Sequence, residues 1–159
     1  MTWYSAGLKD AGKIRQSNQD AFTLVYALQL WVIADGMGGH TGGDVASRLA
    51  VEAIETYVRE NTKENAVTCP PEDKARAVLC EAIATANQAI QEQAKQKRRL
   101  AGMGTTVVAL HIASSPAHQA IIAHVGDSRA YLLREDMTQW MVRRLFSCQQ
   151  PKLNPFFHE

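Results

Sequence analysis

Five glycines fall within eight residues, at Gly36, Gly38, Gly39, Gly42 and Gly43, and a carboxylate, Asp35, leads them. Glycine lets a backbone turn sharply and approach another group closely. A carboxylate beside free backbone carbonyls is the ligand set that hard divalent cations prefer. A phosphate-cradling loop fits poorly. No Gly-Lys-Ser/Thr ending is present, and Thr41 stands where the third glycine of G-x-G-x-x-G would fall. The same residues would also serve as a ligand-free connector between two elements, so both readings stay open at this point.

Three further segments carry groups of the same kind. Arg15-Gln16-Ser17-Asn18-Gln19-Asp20 offers a guanidinium suited to bidentate phosphate binding and a second carboxylate. Val125-Gly126-Asp127-Ser128-Arg129 offers a third carboxylate in a turn, and Gly104-Thr105-Thr106 opens a β-prone run. Each also has a plain structural explanation: polar residues before a strand, a hairpin turn, a helix stop.

The elements that must position these groups follow from hydrophobic pattern. Thr23 to Ala27 and Leu30 to Ala34 read as short strands, the second ending at Asp35. A helix is expected from Asp44, with apolar rows at Val45, Leu49, Ala53, Tyr57 and at Ala46, Ala50, Ile54, Val58. Asn61 to Pro71 reads as a loop. A second helix is expected from about Glu72 to Arg99, burying Ala75, Val78, Leu79, Ala82, Ile83, Ala86 and Ile90. Gly102-Met103-Gly104 breaks it, and strands are expected over Thr105–Ala113, Gln119–Val125 and Arg129–Arg134. Two strands, two helices and three strands, in that order, favour an antiparallel α+β arrangement over alternating βαβ units.

Bulk properties narrow the function classes. The chain has 159 residues, 46% hydrophobic and 21% charged, with a net charge of +1, which implies no general attraction to nucleic acid or membrane. The basic run Lys95-Gln96-Lys97-Arg98-Arg99 closes a helical segment, where cations suit the dipole. Met1-Thr2-Trp3-Tyr4 lacks the pattern of a signal peptide, and no apolar stretch is long enough to span a bilayer. Cys69, Cys80 and Cys148 are scattered and odd in number, which argues against a disulfide framework and a zinc site. A cytoplasmic protein is the expectation.

In this order, Arg15 with Asn18-Gln19-Asp20, Asp35 to Gly39, Gly104-Thr105-Thr106 and Gly126-Asp127-Ser128-Arg129 resemble the metal-dependent serine/threonine protein phosphatases of type 2C, the PPM family. The resemblance covers roughly Ala6 to Arg134, and Met37 followed by His40 looks like the bacterial branch. It implies an αββα sandwich, of which this chain would supply a part. It also implies two bridged Mn²⁺ or Mg²⁺ ions, often with a third, that activate water toward phosphoserine or phosphothreonine. By matching position, Asp35 would bridge the metals, Gly36 would lend its carbonyl, Asp20 would help hold the cluster, and Asp127 would help hold the third ion. Arg15 would bind the substrate phosphate, and His40 would be a general acid for the leaving group.

The family's Ser-Asp-Gly and Asp-Asn segments, each with a metal-ligating aspartate, have no counterpart in this sequence, and neither does a threonine-aspartate-histidine segment. The expected division is therefore 1–136 as the N-terminal part of a phosphatase domain, C-terminally truncated, and 137–159 as an unrelated or irregular tail. A sandwich without its C-terminal strands should expose an apolar sheet face. A site with fewer carboxylates should bind metal weakly and turn over little. The expected function is protein serine/threonine phosphatase acting on phosphoproteins, impaired in this chain. A non-catalytic remnant and a phosphoprotein-binding module are the competing readings.

Overall fold

The computed structural model describes residues 3–13, 17–62, 72–112 and 120–131, with the side chains of residues 39–41, 72 and 73 outside that set. Alternation of buried and exposed residues from Leu30 onward makes β2 (Leu30–Met37) a strand with one covered face. It pairs antiparallel with β1 (Asp20–Val25). A 3₁₀ turn over Tyr26–Leu28 joins them, and Gln29 reverses the chain in the left-handed region at φ 48°. β4 (Val107–Ile112) pairs with the other edge of β2, and β5 (Ala120–Val125) pairs with β4. The order is thus β1-β2-β4-β5, every pairing antiparallel, with the short β3 (Gly104–Thr105) paired to the far end of β2.

Two long helices, α1 (Gly39–Thr62) and α2 (Glu72–Gln96), pack on one another and on one face of this sheet. Ala46, Ala50, Ile54 and Val58 of α1 are fully buried, and so is the facing β2 row of Leu30, Val32 and Ala34. The second apolar row of α1, at Val45, Leu49, Ala53 and Tyr57, is only partly buried. All seven residues expected on the apolar face of α2 are buried. The Tyr57 hydroxyl donates to the Glu81 carboxylate and so ties the two helices together at their surface.

The opposite sheet face is half-buried over most of its apolar residues. Strand register puts Phe22, Leu24, Trp31, Ile33, Val108, Leu110 and Ile122 on it, and Ile33 is 56% exposed. The N-terminal segment runs along β1, from Ser5 beside Trp31 to Lys9 at the Asp20 carbonyl. Trp31 Nε1 donates to Ser5 Oγ at 2.8 Å, Tyr26 exchanges hydrogen bonds with Ser5, and Gly7 lies against the Phe22 ring. Among the described residues, Ile33 is the exposed large apolar side chain of this face.

Besides shifts of a few residues at the ends of β1, β2 and α2, four details differ from the sequence expectation. The first helix begins at Gly39 rather than Asp44, because the glycines that signal a loop are used here to bring a helix close to a strand. A Cβ on Gly36 would stand 2.1 Å from the Gly43 carbonyl oxygen, and one on Gly42 would stand 3.1 Å from Met103 Cβ. The strand expected from Thr105 is interrupted at Thr106, where the chain passes from β3 to β4. Residues 129–131 are not in a strand, and 132–134 lie outside the described residues. Cys80 is disulfide-bonded, although scattered cysteines suggested no bridge, since spacing along the chain does not limit approach in space.

His111 is a buried exception in the apolar layer, 1% exposed. One ring nitrogen donates to the Leu28 carbonyl, while Nδ1 has no partner. Burial lowers its pKa from the ordinary 6.5 to about 4. Below pH 6.5 the unfolded chain binds a proton that the folded chain refuses, so stability is full above that pH and falls as pH drops toward 4. Urea unfolding should register a loss of about 3 kcal/mol across this window, and His111→Gln should flatten the slope.

The glycine contact gives a second expectation. Gly36→Ala sets a methyl against backbone and should cost about 3 kcal/mol or more. Gly102→Ala meets no atom within 4 Å and is strained only by its φ of 78°, so it should cost about 1 kcal/mol. Paired denaturant melts of the two variants separate steric collision from backbone strain.

Candidate metal centre

The carboxylates come together because of strand register. Asp20, the first residue of β1, is the direct cross-strand partner of Asp35 on β2. The Gly36 N–H donates to the Gln19 carbonyl at 3.2 Å, which makes 19 and 36 a hydrogen-bonded pair. Asp20 and Asp35 are then a non-hydrogen-bonded pair, whose Cβ atoms stand about 4.5 to 5.5 Å apart on the same face. Asp20 is half-buried and Asp35 exposed, so both reach solvent at one end of the sheet.

The Asp35 backbone is held from three directions. Its N–H donates to Thr106 Oγ1 at 3.2 Å. Its carbonyl accepts from the Thr106 N–H and from Thr105 Oγ1, each at 2.9 Å. Both threonines are buried. Thr106 Oγ1 also lies 2.6 Å from Ser128 Oγ, and Gly126, at φ 94°, leaves room for the Thr106 side chain. The Gly-Thr-Thr and Gly-Asp-Ser segments are therefore joined to the Asp35 backbone through one hydroxyl chain.

Asp20 is positioned from its own side. Its N–H donates to Asn18 Oδ1 at 2.7 Å, an Asx turn that sets the start of β1. Lys9 Nζ donates to the Asp20 carbonyl at 3.2 Å. The Gln19 carbonyl accepts both the Gly36 N–H and Ser47 Oγ, the latter at 2.6 Å, and so links β1, β2 and α1.

Of the six residues singled out by sequence, Asp20, Asp35 and Gly36 are adjacent. Asp127 is exposed on the turn after β5, next to Ser128, and belongs to the same end of the sheet through the Ser128–Thr106 contact. His40 lies in the first turn of α1 with its side chain outside the described set, and Arg15 lies outside the described residues. Among the described residues, no three His, Cys, Asp or Glu side chains converge into a metal cluster. Gln19, Ser47, Thr105, Thr106 and Ser128 are positioning residues that pattern reading did not assign. Gln19, Thr105, Thr106 and Ser128 lie within the motifs that carry the resemblance, whereas Ser47 had no signal beyond following the glycine loop.

Two like charges set directly opposite across a strand pair repel. A divalent cation between them would relieve that repulsion, and carboxylate and carbonyl oxygens are its preferred donors. Asp20, Asp35 and Gly36 therefore fit such an ion as part of a ligand set.

The family model described as Protein phosphatase 2C matches residues 13–149. A serine/threonine phosphatase of Listeria innocua is 38% identical over 131 residues, spanning 80% of this chain and 49% of that protein. The serine/threonine protein phosphatase PstP of Mycobacterium tuberculosis is 37% identical over 136 residues, 84% of this chain and 24% of that protein. The catalytic domain of PstP, solved in complex with two manganese ions, superposes with a TM-score of 0.65 at 35% identity, covering 79% of this chain and 49% of that one. The chain thus spans about half the length, or less, of the curated relatives it matches. By the family match and the shared fold, this chain belongs to the protein phosphatase 2C family.

Proposed function

We propose that this chain takes part in hydrolysing phosphoserine and phosphothreonine on proteins, with Mn²⁺ or Mg²⁺ held at Asp20, Asp35 and the Gly36 carbonyl. The observation that carries the reading is the direct cross-strand pairing of Asp20 with Asp35 beside the glycine turn. A metal bound there would lower the pKa of a water and offset charge on the phosphoryl group. The chain's own residues do the positioning. Thr105 and Thr106 fix the Asp35 backbone, Asn18 fixes Asp20, and Gly36 and Gly43 bring α1 against the strand end.

Three roles rest on matching position. Asp127 helps hold a further ion, Arg15 binds the substrate phosphate, and His40 protonates the leaving alkoxide. We assign the phosphatase unit to residues 1–136 as a minimum, the family match itself running on to residue 149. The substrates are phosphorylated proteins, with no nucleic acid or membrane partner. We place the protein in the cytoplasm. No helix of the described residues is long and apolar enough to cross a membrane.

Metal affinity rises with the number of charged ligands, and the Asp20–Asp35 pair supplies two. The 159-residue chain alone therefore binds metal weakly and turns over phosphopeptide slowly or not at all. A thermal melt with Mn²⁺ tests this. A concentration ten times the Kd adds about 1.4 kcal/mol to a folded state that alone binds the ion. The midpoint should rise at millimolar Mn²⁺ and stop rising in Asp35→Asn. Any phosphopeptide hydrolysis should vanish in the same variant. A melt indifferent to Mn²⁺, or hydrolysis that survives Asp35→Asn, would sink the proposal. A melt raised by phosphopeptide without metal would instead identify a binding module.

A further inference from the structure

A separate cavity of about 270 Å³ opens between the C-terminal half of α2 and residues 101–105. Its deep walls are apolar: Ile90 and Met103 are buried, and Ala94 is partly buried beside them. Asn87 and Gln91 add amide groups, and the exposed Lys95 stands among the lining residues. Lys97, Arg98 and Arg99 follow it on the surface, and among the described residues none of these four cations is in an ion pair. A cavity of about 150 Å³ takes benzene, so this one has room for roughly ten heavy atoms.

We propose that this cavity binds a small monocarboxylate with an apolar body, its acid group at Lys95 and its chain against Ile90, Ala94 and Met103. The wall chemistry selects that class. An apolar interior favours a hydrocarbon body, and an ammonium at the lining favours one negative charge. A phosphate dianion would lose more hydration than one ammonium and two amides replace. Hydrocarbon without a head group would leave Lys95 unanswered.

Occupancy of the cavity is felt at the glycine turn. Met103 forms the wall between them, because its Cα lies 2.8 Å from where a Gly38 Cβ would stand and its Cβ lies 3.1 Å from the corresponding Gly42 position. Gly104 and Thr105, also in the lining, pair with Met37 and Gly36. A ligand that presses on Met103 has no free volume behind it to absorb the shift.

Octanoate and octan-1-ol, titrated into the ¹⁵N-labelled 159-residue chain, are the probes. Octanoate should shift the amides of Ile90, Ala94, Met103 and Gly104, and that of Gly42 across the wall. Lys95→Glu should weaken octanoate about threefold, the range of an exposed charge contact, and leave octan-1-ol unchanged. Ala94→Phe should fill the cavity and remove both. The Lys95→Glu arm alters an exposed residue and decides the matter even where Ala94→Phe fails to fold. Shifts that fall instead on Ile33 and Leu110 of the sheet face opposite the helices would overturn the proposal. So would octanoate affinity equal to that of octan-1-ol, or unaffected by Lys95→Glu.

Discussion

The approach of Gly36 to Gly43 is the constraint on which the rest of this molecule depends. A side chain at either position would overlap backbone: 2.1 Å to the Gly43 oxygen from one, 2.7 Å to the Gly36 carbonyl carbon from the other. Only with both positions bare can the first turn of α1 lie against the end of β2. That contact fixes where the helix starts, and so which of its rows meets the sheet. It also lets Ser47, one turn further on, donate to the Gln19 carbonyl that already accepts the Gly36 N–H. One carbonyl oxygen thereby joins two strands and a helix, and Asp35 sits one residue from that junction.

The same geometry creates an electrostatic conflict. Asp20 and Asp35 are cross-strand partners, and like charges so placed cost a sheet something on the order of 0.2 to 1 kcal/mol. The fold works against this by holding the Asp35 backbone with three hydrogen bonds shared with buried threonines. A rule of sheet stability is broken at the one place where the sequence already suggested chemistry. Sites that work against local stability to hold charge in place are common where binding is the purpose.

How much was legible in the sequence differs by element. The α2 face from Ala75 to Ile90 was readable residue by residue, because a regular helix lying on a core imposes its period on the sequence. The beginning of α1 was not readable. Glycine at 42 and 43 signals a loop by propensity, and only the positions of Met103 and Gly36 in space reveal that the residues are helical and packed too closely for a side chain. The pairing of Asp20 with Asp35 depends on the register of β1 against β2, which the short apolar runs do not specify. Gly104-Thr105-Thr106 was recognisable as a motif, but the role of its hydroxyls was not, since a hydroxyl aimed at a distant carbonyl leaves no periodic trace. Asp127 was recognisable as part of a motif, but its distance from the other carboxylates was not.

The sheet face opposite the helices connects the stability of this chain to its site. Phe22 and Ile33 are cross-strand partners on that face, and Asp20 and Asp35 are cross-strand partners on the same face two residues further along. Ile33 is 56% exposed, and its burial would contribute on the order of 1 kcal/mol or more. Strand rise is about 3.3 Å per residue, so two residues separate the apolar pair from the acidic pair by roughly 7 Å. A layer that packs over Ile33 would therefore come within roughly 7 Å of the two carboxylates. Covering Ile33 and adding neighbours to the acidic pair are thus geometrically linked, because the two pairs lie on one face of the same two strands.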